Sequence, residues 1–300
     1  MLLGNRYRLC EPLCTGGMAQ IYLGLDTALD RRVAIKRLRP ELAAQACFRE
    51  QFLAEARTLA GLTHPHIVEV FDFDADAERP YLVMELIEGT TLASLLPLPA
   101  PHALDYLLQV AEALSFCHGQ GILHCDVKPE NIMVDVSGCV KLIDFGISLP
   151  DGACATGPLI GSPHYVAPER VLGGPLTAAA DIYAFGVVLF QAITGIVPFD
   201  GPDPATIARR HVEERVPLMS DVLVTVPLAL ERVVSRATAP APLVRYHNGT
   251  ALMGAIQETR QDLLGVPVPD PLVREQDLCS ATSFWSRPTG PIAAARPQAS

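Results

Sequence analysis

The chain has 300 residues, a formal net charge of −10, 49% hydrophobic and 19% charged residues, a balance that excludes global disorder because ample apolar side chain can be buried. The acidic balance, spread along the chain, excludes nucleic-acid binding by bulk charge, which needs clustered Lys and Arg; basic segments of partner proteins suit it better. The cysteines Cys10, Cys14, Cys47, Cys117, Cys125, Cys139, Cys154 and Cys279 form no C-x-x-C pair and no His/Cys zinc spacing, so free thiols in a reducing, cytoplasmic setting are expected. The opening MLLGNRYRLC lacks the apolar stretch and cleavage site of a secretion signal. The apolar run from Ile182 to Ile193 is too short to cross a bilayer and predicts a buried helix.

In chain order, Tyr7 to Leu13 and Ile21 to Asp26 flank Thr15-Gly16-Gly17 and predict a hairpin with a glycine turn. Arg32 to Leu38 is a third strand. Phe48 to Leu62 places Phe52, Ala56 and Leu59 at helical spacing with Glu55 among them. Val68 to Phe73 and Tyr81 to Leu86 complete a small antiparallel sheet with one main helix. From Thr91 onward the pattern is helical: Leu104 to Gly119, Asp181 to Thr194, Ala205 to Val212, Ala229 to Ala237 and Thr250 to Thr259, with short strands at Ile132 to Val134 and Val140 to Leu142. The Pro-, Ala- and Ser-rich stretch 263–300 reads as a flexible tail.

Several residues carry chemistry. Gly16-Gly17 lets main-chain N–H groups approach an anion closely, although alone it is an ordinary hairpin turn. Lys36 in Val33-Ala34-Ile35-Lys36 is one cation on an apolar strand, and Glu55 on the following helix is its candidate partner. His124-Cys125-Asp126-Val127-Lys128-Pro129-Glu130-Asn131 offers a carboxylate, a lysine and an amide at short spacing. These types serve a hydroxyl proton, a phosphoryl charge and a divalent cation. Asp144-Phe145-Gly146 supplies a second hard-oxygen ligand.

These motifs together resemble the eukaryotic-like (Hanks-type) serine/threonine protein kinases of bacteria. Leu13-Cys14-Thr15-Gly16-Gly17-Met18-Ala19-Gln20-Ile21-Tyr22 is similar to the family's glycine-rich loop. Gly161-Ser162-Pro163-His164-Tyr165-Val166-Ala167-Pro168-Glu169 resembles the end of its activation segment. Asp181-Ile182-Tyr183-Ala184-Phe185-Gly186 resembles the helix that anchors its catalytic loop, and Arg245 stands where the family pairs an arginine with Glu169.

The resemblance implies an α+β bilobal fold, with an N-lobe over about 1–86 and a C-lobe over 87–262. It also implies roles. Asp126 is the catalytic base and Lys128 steadies the transferring group. Asn131 and Asp144 bind Mg²⁺, or Mn²⁺ in its place. Lys36, oriented by Glu55, holds the ATP phosphates beneath Cys14, Thr15, Gly16 and Gly17. Ile21, Ala34 and Met133 sandwich the adenine, Met84 stands at its back, and Glu85 and Ile87 offer backbone hydrogen bonds to it. Lys128 and Ser162 favour Ser/Thr acceptors in protein substrates, autophosphorylation included. Neither a nucleic-acid partner nor a membrane span is expected, and a dimer through the N-lobe is a candidate arrangement.

Two departures bear on affinity and control. Cys14 replaces the loop's first glycine, and its Cβ is expected to restrict φ and crowd the turn. Cys125 replaces an arginine that pairs with phosphate on the activation segment, so activity independent of that contact is expected, with Thr156 as the segment's candidate phosphosite. A buried, inert thiol is expected at Cys125. The alternative function is an ATP-binding pseudokinase or scaffold, against which stand the retained Lys36, Asp126 and Asp144. Small-molecule kinases usually lack the two C-lobe motifs found here.

Overall fold

The computed structural model describes residues 1–75, 78–145 and 162–264. Strands β1 (Leu2–Leu3), β2 (Tyr7–Thr15), β3 (Ala19–Asp26), β4 (Arg31–Leu38), β5 (Val70–Asp74) and β6 (Tyr81–Glu85) form an antiparallel sheet in the order β1-β2-β3-β4-β6-β5. Period-two alternation sorts the faces of β4. Val33 and Ile35 pack with Tyr7, Tyr81 and Val83 on the outer side. Ala34 and Leu38 join the main core, which includes Phe52, Ala56 and Leu59 of the facing helix. Lys36 is in phase with Ala34 and Leu38, so the strand's own periodicity aims it inward.

Helix α1 (Pro40–Ala43) is one turn, and α2 (Ala46–Ala60) buries Phe52, Glu55, Ala56 and Leu59 on one stripe. That three- and four-residue spacing is the helical period. It carries one carboxylate into an apolar face, opposite Lys36.

The remainder is helical around a second small sheet of β7 (Gly89–Thr91), β8 (Ile132–Asp135) and β9 (Val140–Leu142). Helix α3 (Ala100–Gly119) begins before the apolar repeat at Leu104, because Pro101 sits in a first turn whose N–H groups need no helical partner. Helices α4 (Pro168–Val171), α5 (Ala178–Thr194), α6 (Pro204–Glu213), α7 (Leu228–Ala237) and α8 (Gly249–Leu264) follow. Helix α5 is apolar nearly all round and buried from Ile182 to Phe190. Gly186 on it is required by close approach, since a Cβ there would lie 2.7 Å from Thr238 Cγ2 and 2.8 Å from Ala237 Cβ. No helix among the described residues is long and apolar enough to cross a membrane.

The expected architecture is present, with additions. β1 is too short to show a period, yet it seats Leu3 against Tyr7. β7, α1 and α4 are equally brief. Helix α8 runs to Leu264, past Thr259 and two residues into the stretch expected to be a tail. Thr156 and residues 265–300 lie outside the described residues.

Arg245 ties the lower part together. Its Nη1 and Nη2 donate to Glu169 Oε1 and Oε2 at 2.7 and 2.9 Å. The remaining donors reach the carbonyls of Ala239, Ala179 and Pro240 at 2.7, 2.8 and 3.0 Å. The guanidinium, fully buried, lies 4.8 Å from the Tyr183 ring centroid. A buried charge satisfied this completely is costly to break. Arg245→Ala is expected to lower the unfolding free energy by about 3–5 kcal/mol, read by urea denaturation; a loss under about 1 kcal/mol would show that Glu169 finds another partner or takes up a proton.

Candidate active site

Between the large sheet and the helical part lies a cleft of about 520 Å³. Its roof is the β2–β3 hairpin: Cys14, Thr15, Gly16, Gly17 and Ile21 line it, with Ala34 beneath. Cys14 pairs with Ile21 in the ladder and does not have a positive φ, so the structure corrects the expectation that its Cβ crowds the turn. Burial and the nearby Asp144 charge push its thiol up to about 11, which keeps it protonated and unreactive at neutral pH. A Cβ at Gly17 would touch nothing within 4 Å. Packing does not demand glycine there; what the absent side chain leaves is open room for a ligand to reach the backbone.

Met84, Glu85 and Ile87 form the back edge of the cleft and Met133 its floor. The Glu85 N–H donates to Glu69 O at 2.9 Å, so only the Glu85 carbonyl is left for a ligand. Its side chain accepts from Glu69 N at 2.7 Å and Lys141 Nζ at 2.6 Å, fastening this edge to β9.

Lys36 Nζ donates to Glu55 Oε1 at 2.6 Å and to Asp144 Oδ1 at 2.9 Å. Three elements thus meet at one ammonium: β4, α2 and the loop after β9. Lys36 and Glu55 sit behind the cleft wall, each with a side chain 9% exposed, whereas Asp144 is 39% exposed toward it.

The segment from His124 to Asn131 is held from below by α5. Asp181 is buried, and its Oδ1 accepts from Cys125 N at 2.8 Å while Oδ2 accepts from His124 N at 2.8 Å. His118 Nε2 reaches Oδ2 at 2.9 Å, and its Nδ1 accepts from Gly249 N, which fixes Nε2 as the donor. His124 is fully buried and tilted against Phe145 with centroids 4.4 Å apart. Cys125 has φ +63° and Asp144 φ +51°, left-handed conformations that cost an L residue strain. Cys125 is half-buried against Leu123, Leu176 and Ala178, not fully buried as expected.

Asp126 then projects into the cleft. Its Oδ2 accepts from Lys128 Nζ at 2.6 Å and from Asn131 Nδ2 at 2.8 Å, while Oδ1 has no hydrogen-bond partner among the described residues. Asn131 Nδ2 also reaches the carbonyls of Asp126 and Asp144 at 2.9 and 3.3 Å. With its amide N–H groups in use, Asn131 keeps its side-chain carbonyl oxygen for a further partner, and Asp144 lines the same cleft. Two oxygen donors and adjacent open space fit a hard cation that completes its shell with phosphate and water; no group of three His, Cys, Asp or Glu forms a metal cage among the described residues.

Burial pushes Glu55, Asp144 and Asp181 up and Lys36 down; partners decide the outcome. Lys36 ends above its ordinary value through the charges and hydrogen bonds of Asp144 and Glu55. For Asp144 and Asp181 the opposing partners win over burial: Lys36 lowers the first, and His118 with the loop N–H groups lowers the second. For Glu55 burial wins over Lys36 and raises the carboxyl to about 7 from an ordinary 4.5.

A raised acid binds its proton more tightly in the folded state, so its contribution to stability is fullest below pH 4.5 and is lost as pH rises through about 7. The stability of the parent relative to Glu55→Gln is therefore expected to fall by about 1–3 kcal/mol across that window. Denaturation at a series of pH values checks this; a constant difference would contradict it.

The structure brings the sequence-predicted residues Cys14, Thr15, Gly16, Gly17, Ile21, Ala34, Met84, Glu85, Ile87, Asp126, Lys128, Asn131, Met133 and Asp144 to one cleft, with Lys36 and Glu55 behind it. Sequence reasoning missed Val68, Thr91, Glu130 and Ile143, which also line the cleft, and His118, which braces Asp181. Val68 and Ile143 belong to apolar runs that look like any core strand. His118 had only its place in the last helical turn as a signal.

Comparison with known proteins agrees with this geometry. Residues 7–240 match the family model described as "Protein kinase domain". The chain is 40% identical over 268 residues to serine/threonine-protein kinase PksC of Streptomyces coelicolor, covering 84% of this chain and 48% of that protein. It is 38% identical over 257 residues to PrkC of Bacillus subtilis, covering 82% and 40%, and 38% identical over 270 residues to PknA of Mycobacterium tuberculosis, covering 86% and 62%. The chain thus spans about half the length of the relatives it matches. A family match over most of the chain, on a fold that gathers the family's motif residues in one cleft, establishes that the chain belongs to the protein kinase family, in its bacterial Hanks-type branch.

Proposed function

We propose that this chain is a serine/threonine protein kinase domain that transfers the γ-phosphoryl group of ATP to Ser or Thr hydroxyls of proteins, itself included. The observation that carries the reading is the convergence of Asp126, Lys128, Asn131 and Asp144 on one cleft, with Lys36 paired to Glu55 and Asp144 from behind its wall. Mg²⁺, with Mn²⁺ as a substitute, is the metal that suits two oxygen donors.

The residues divide the work by position. Lys36, held charged, would offer its ammonium to the ATP α/β-phosphates, and Asp144 with Asn131 would hold the metal. The apolar surfaces of Ile21, Ala34 and Met133 enclose the adenine, and the carbonyl of Glu85 and backbone of Ile87 meet its polar edge. The bound metal supplies neutralisation of charge on the phosphates. Asn131 and Lys128 fix one oxygen of Asp126, leaving Oδ1 to orient the acceptor hydroxyl and take its proton as the oxygen attacks the γ-phosphorus and the bond from that phosphorus to the bridging oxygen breaks, releasing ADP. Lys128, beside that carboxylate, balances charge on the group in transit.

A second cavity of about 250 Å³ shares Asp126 and Ser162 with the nucleotide cleft and is lined further by Pro163, Tyr165 and Ala167. It supports an acceptor approaching Asp126 from the side opposite the nucleotide. Lys128 and Ser162 support Ser/Thr over Tyr. The same reading places the kinase domain at 1–262, with the lobes meeting near residue 86 and 263–300 as an appended tail. It includes a cytoplasmic setting, no nucleic-acid partner, and dimerisation through the N-lobe as the candidate assembly.

Transfer of labelled phosphate from ATP to the protein or to a basic carrier protein tests the proposal. Asp126→Asn is expected to lower kcat by about 10²–10⁴-fold with ATP affinity near that of the parent, and Lys36→Met to lose affinity and rate together. A parent protein that binds ATP with Mg²⁺ or Mn²⁺ and transfers nothing would favour the pseudokinase reading.

A further inference from the structure

At Cys125 the chain lacks the arginine that its family places beside the catalytic aspartate, yet a guanidinium from another element bonds the backbone of this residue. Arg170, on α4, donates from Nη1 to the Cys125 carbonyl at 2.6 Å. The preceding residue, Glu169, is clamped by both prongs of Arg245. Arg170 therefore extends from an anchored element, and its reach of 45 positions along the sequence joins α4 to the catalytic loop.

The contact falls where the backbone most needs one. Cys125 is held at φ +63°, a conformation that an L residue leaves unless its surroundings impose it. Asp181 grips the N–H side of this residue at 2.8 Å. The peptide plane leading into Asp126 is held on its N–H side, where Asp126 N donates to His124 Nδ1 at 3.3 Å, and on its carbonyl side by Arg170. Cys125 is thus gripped at both ends, and the Cα of Asp126 is directed toward the cleft.

We propose that Arg170 is a positioning residue for Asp126: its bond to the Cys125 carbonyl holds the strained loop in the reactive geometry. The inference rests on the phosphotransferase reading above, because its kinetic consequence is a rate of transfer. It concerns orientation of the acceptor side, so ATP binding through Lys36 and Asp144 is untouched.

The test compares Arg170→Gln, which keeps an N–H donor, with Arg170→Met, which has nearly the same shape and no donor. The expected kcat of Arg170→Met is about 10–100-fold below that of the parent, with KM for ATP unchanged, and Arg170→Gln recovers most of the loss. Hydrogen exchange at the Cys125 and Asp126 amides is faster in Arg170→Met than in Arg170→Gln. In a Cys125→Gly background, where glycine tolerates the left-handed backbone, replacing Arg170 by Met is expected to cost several-fold less. Equal kcat and equal exchange in the Gln and Met variants would overturn the proposal. So would a loss of folded protein in Arg170→Met in place of a loss of kcat, or the same kcat loss in both backgrounds. A parent that transfers nothing refutes the phosphotransferase reading instead, and the exchange comparison then still decides whether Arg170 holds the loop.

Discussion

The Asp181 carboxylate carries the geometry on which the reactive centre depends. It accepts two consecutive backbone N–H groups and the His118 ring, all at 2.8–2.9 Å, from a position with 1% exposure. A buried anion is tolerable only when its lone pairs are met this fully. The donors gain as well, since His124 and Cys125 could satisfy their N–H groups in this irregular segment with no ladder or helix to pair with. Because α5 is packed on nearly every side, the carboxylate inherits the rigidity of the core. The loop above it can then hold a left-handed cysteine and project Asp126.

The upper half of the site has a different origin. Strand alternation turns Lys36 inward, and the helical period turns Glu55 toward it; neither orientation requires the other. What joins them is the loss of water on both, which leaves each charge needing a partner. Asp144 completes the triad from the far side of the cleft. The ammonium is then shared between a buried glutamate with little access to solvent and an aspartate that faces the ligand space. A phosphate-bearing ligand can compete for Lys36 and release Asp144 toward a cation while Glu55 keeps its hold.

Most of this was legible in the sequence because chemistry restricts residue type at each motif position. A carboxylate, ammonium or amide has few substitutes, whereas the apolar walls do. Val68 and Ile143 escaped notice since any β-branched strand would read the same. His118 and Arg170 act across 63 and 45 positions of sequence, and no local period marks such a partner. Cys14 shows the opposite error. A family pattern made a glycine look necessary, but the extended backbone there accepts a Cβ. At Cys125 the pattern exposed a missing arginine, and only the fold could reveal that Arg170 of α4 bonds the backbone there.

The dependence of Asp126 on Asp181 can be measured most directly by single-turnover phosphoryl transfer in Asp181→Asn, with ATP affinity determined in parallel. The side chain keeps its shape but loses its charge and one acceptor oxygen, so one loop N–H must go unpaired. The account predicts a rate lower by about 10²-fold or more with ATP affinity close to that of the parent. A rate within about twofold of the parent in a fully folded variant would contradict it.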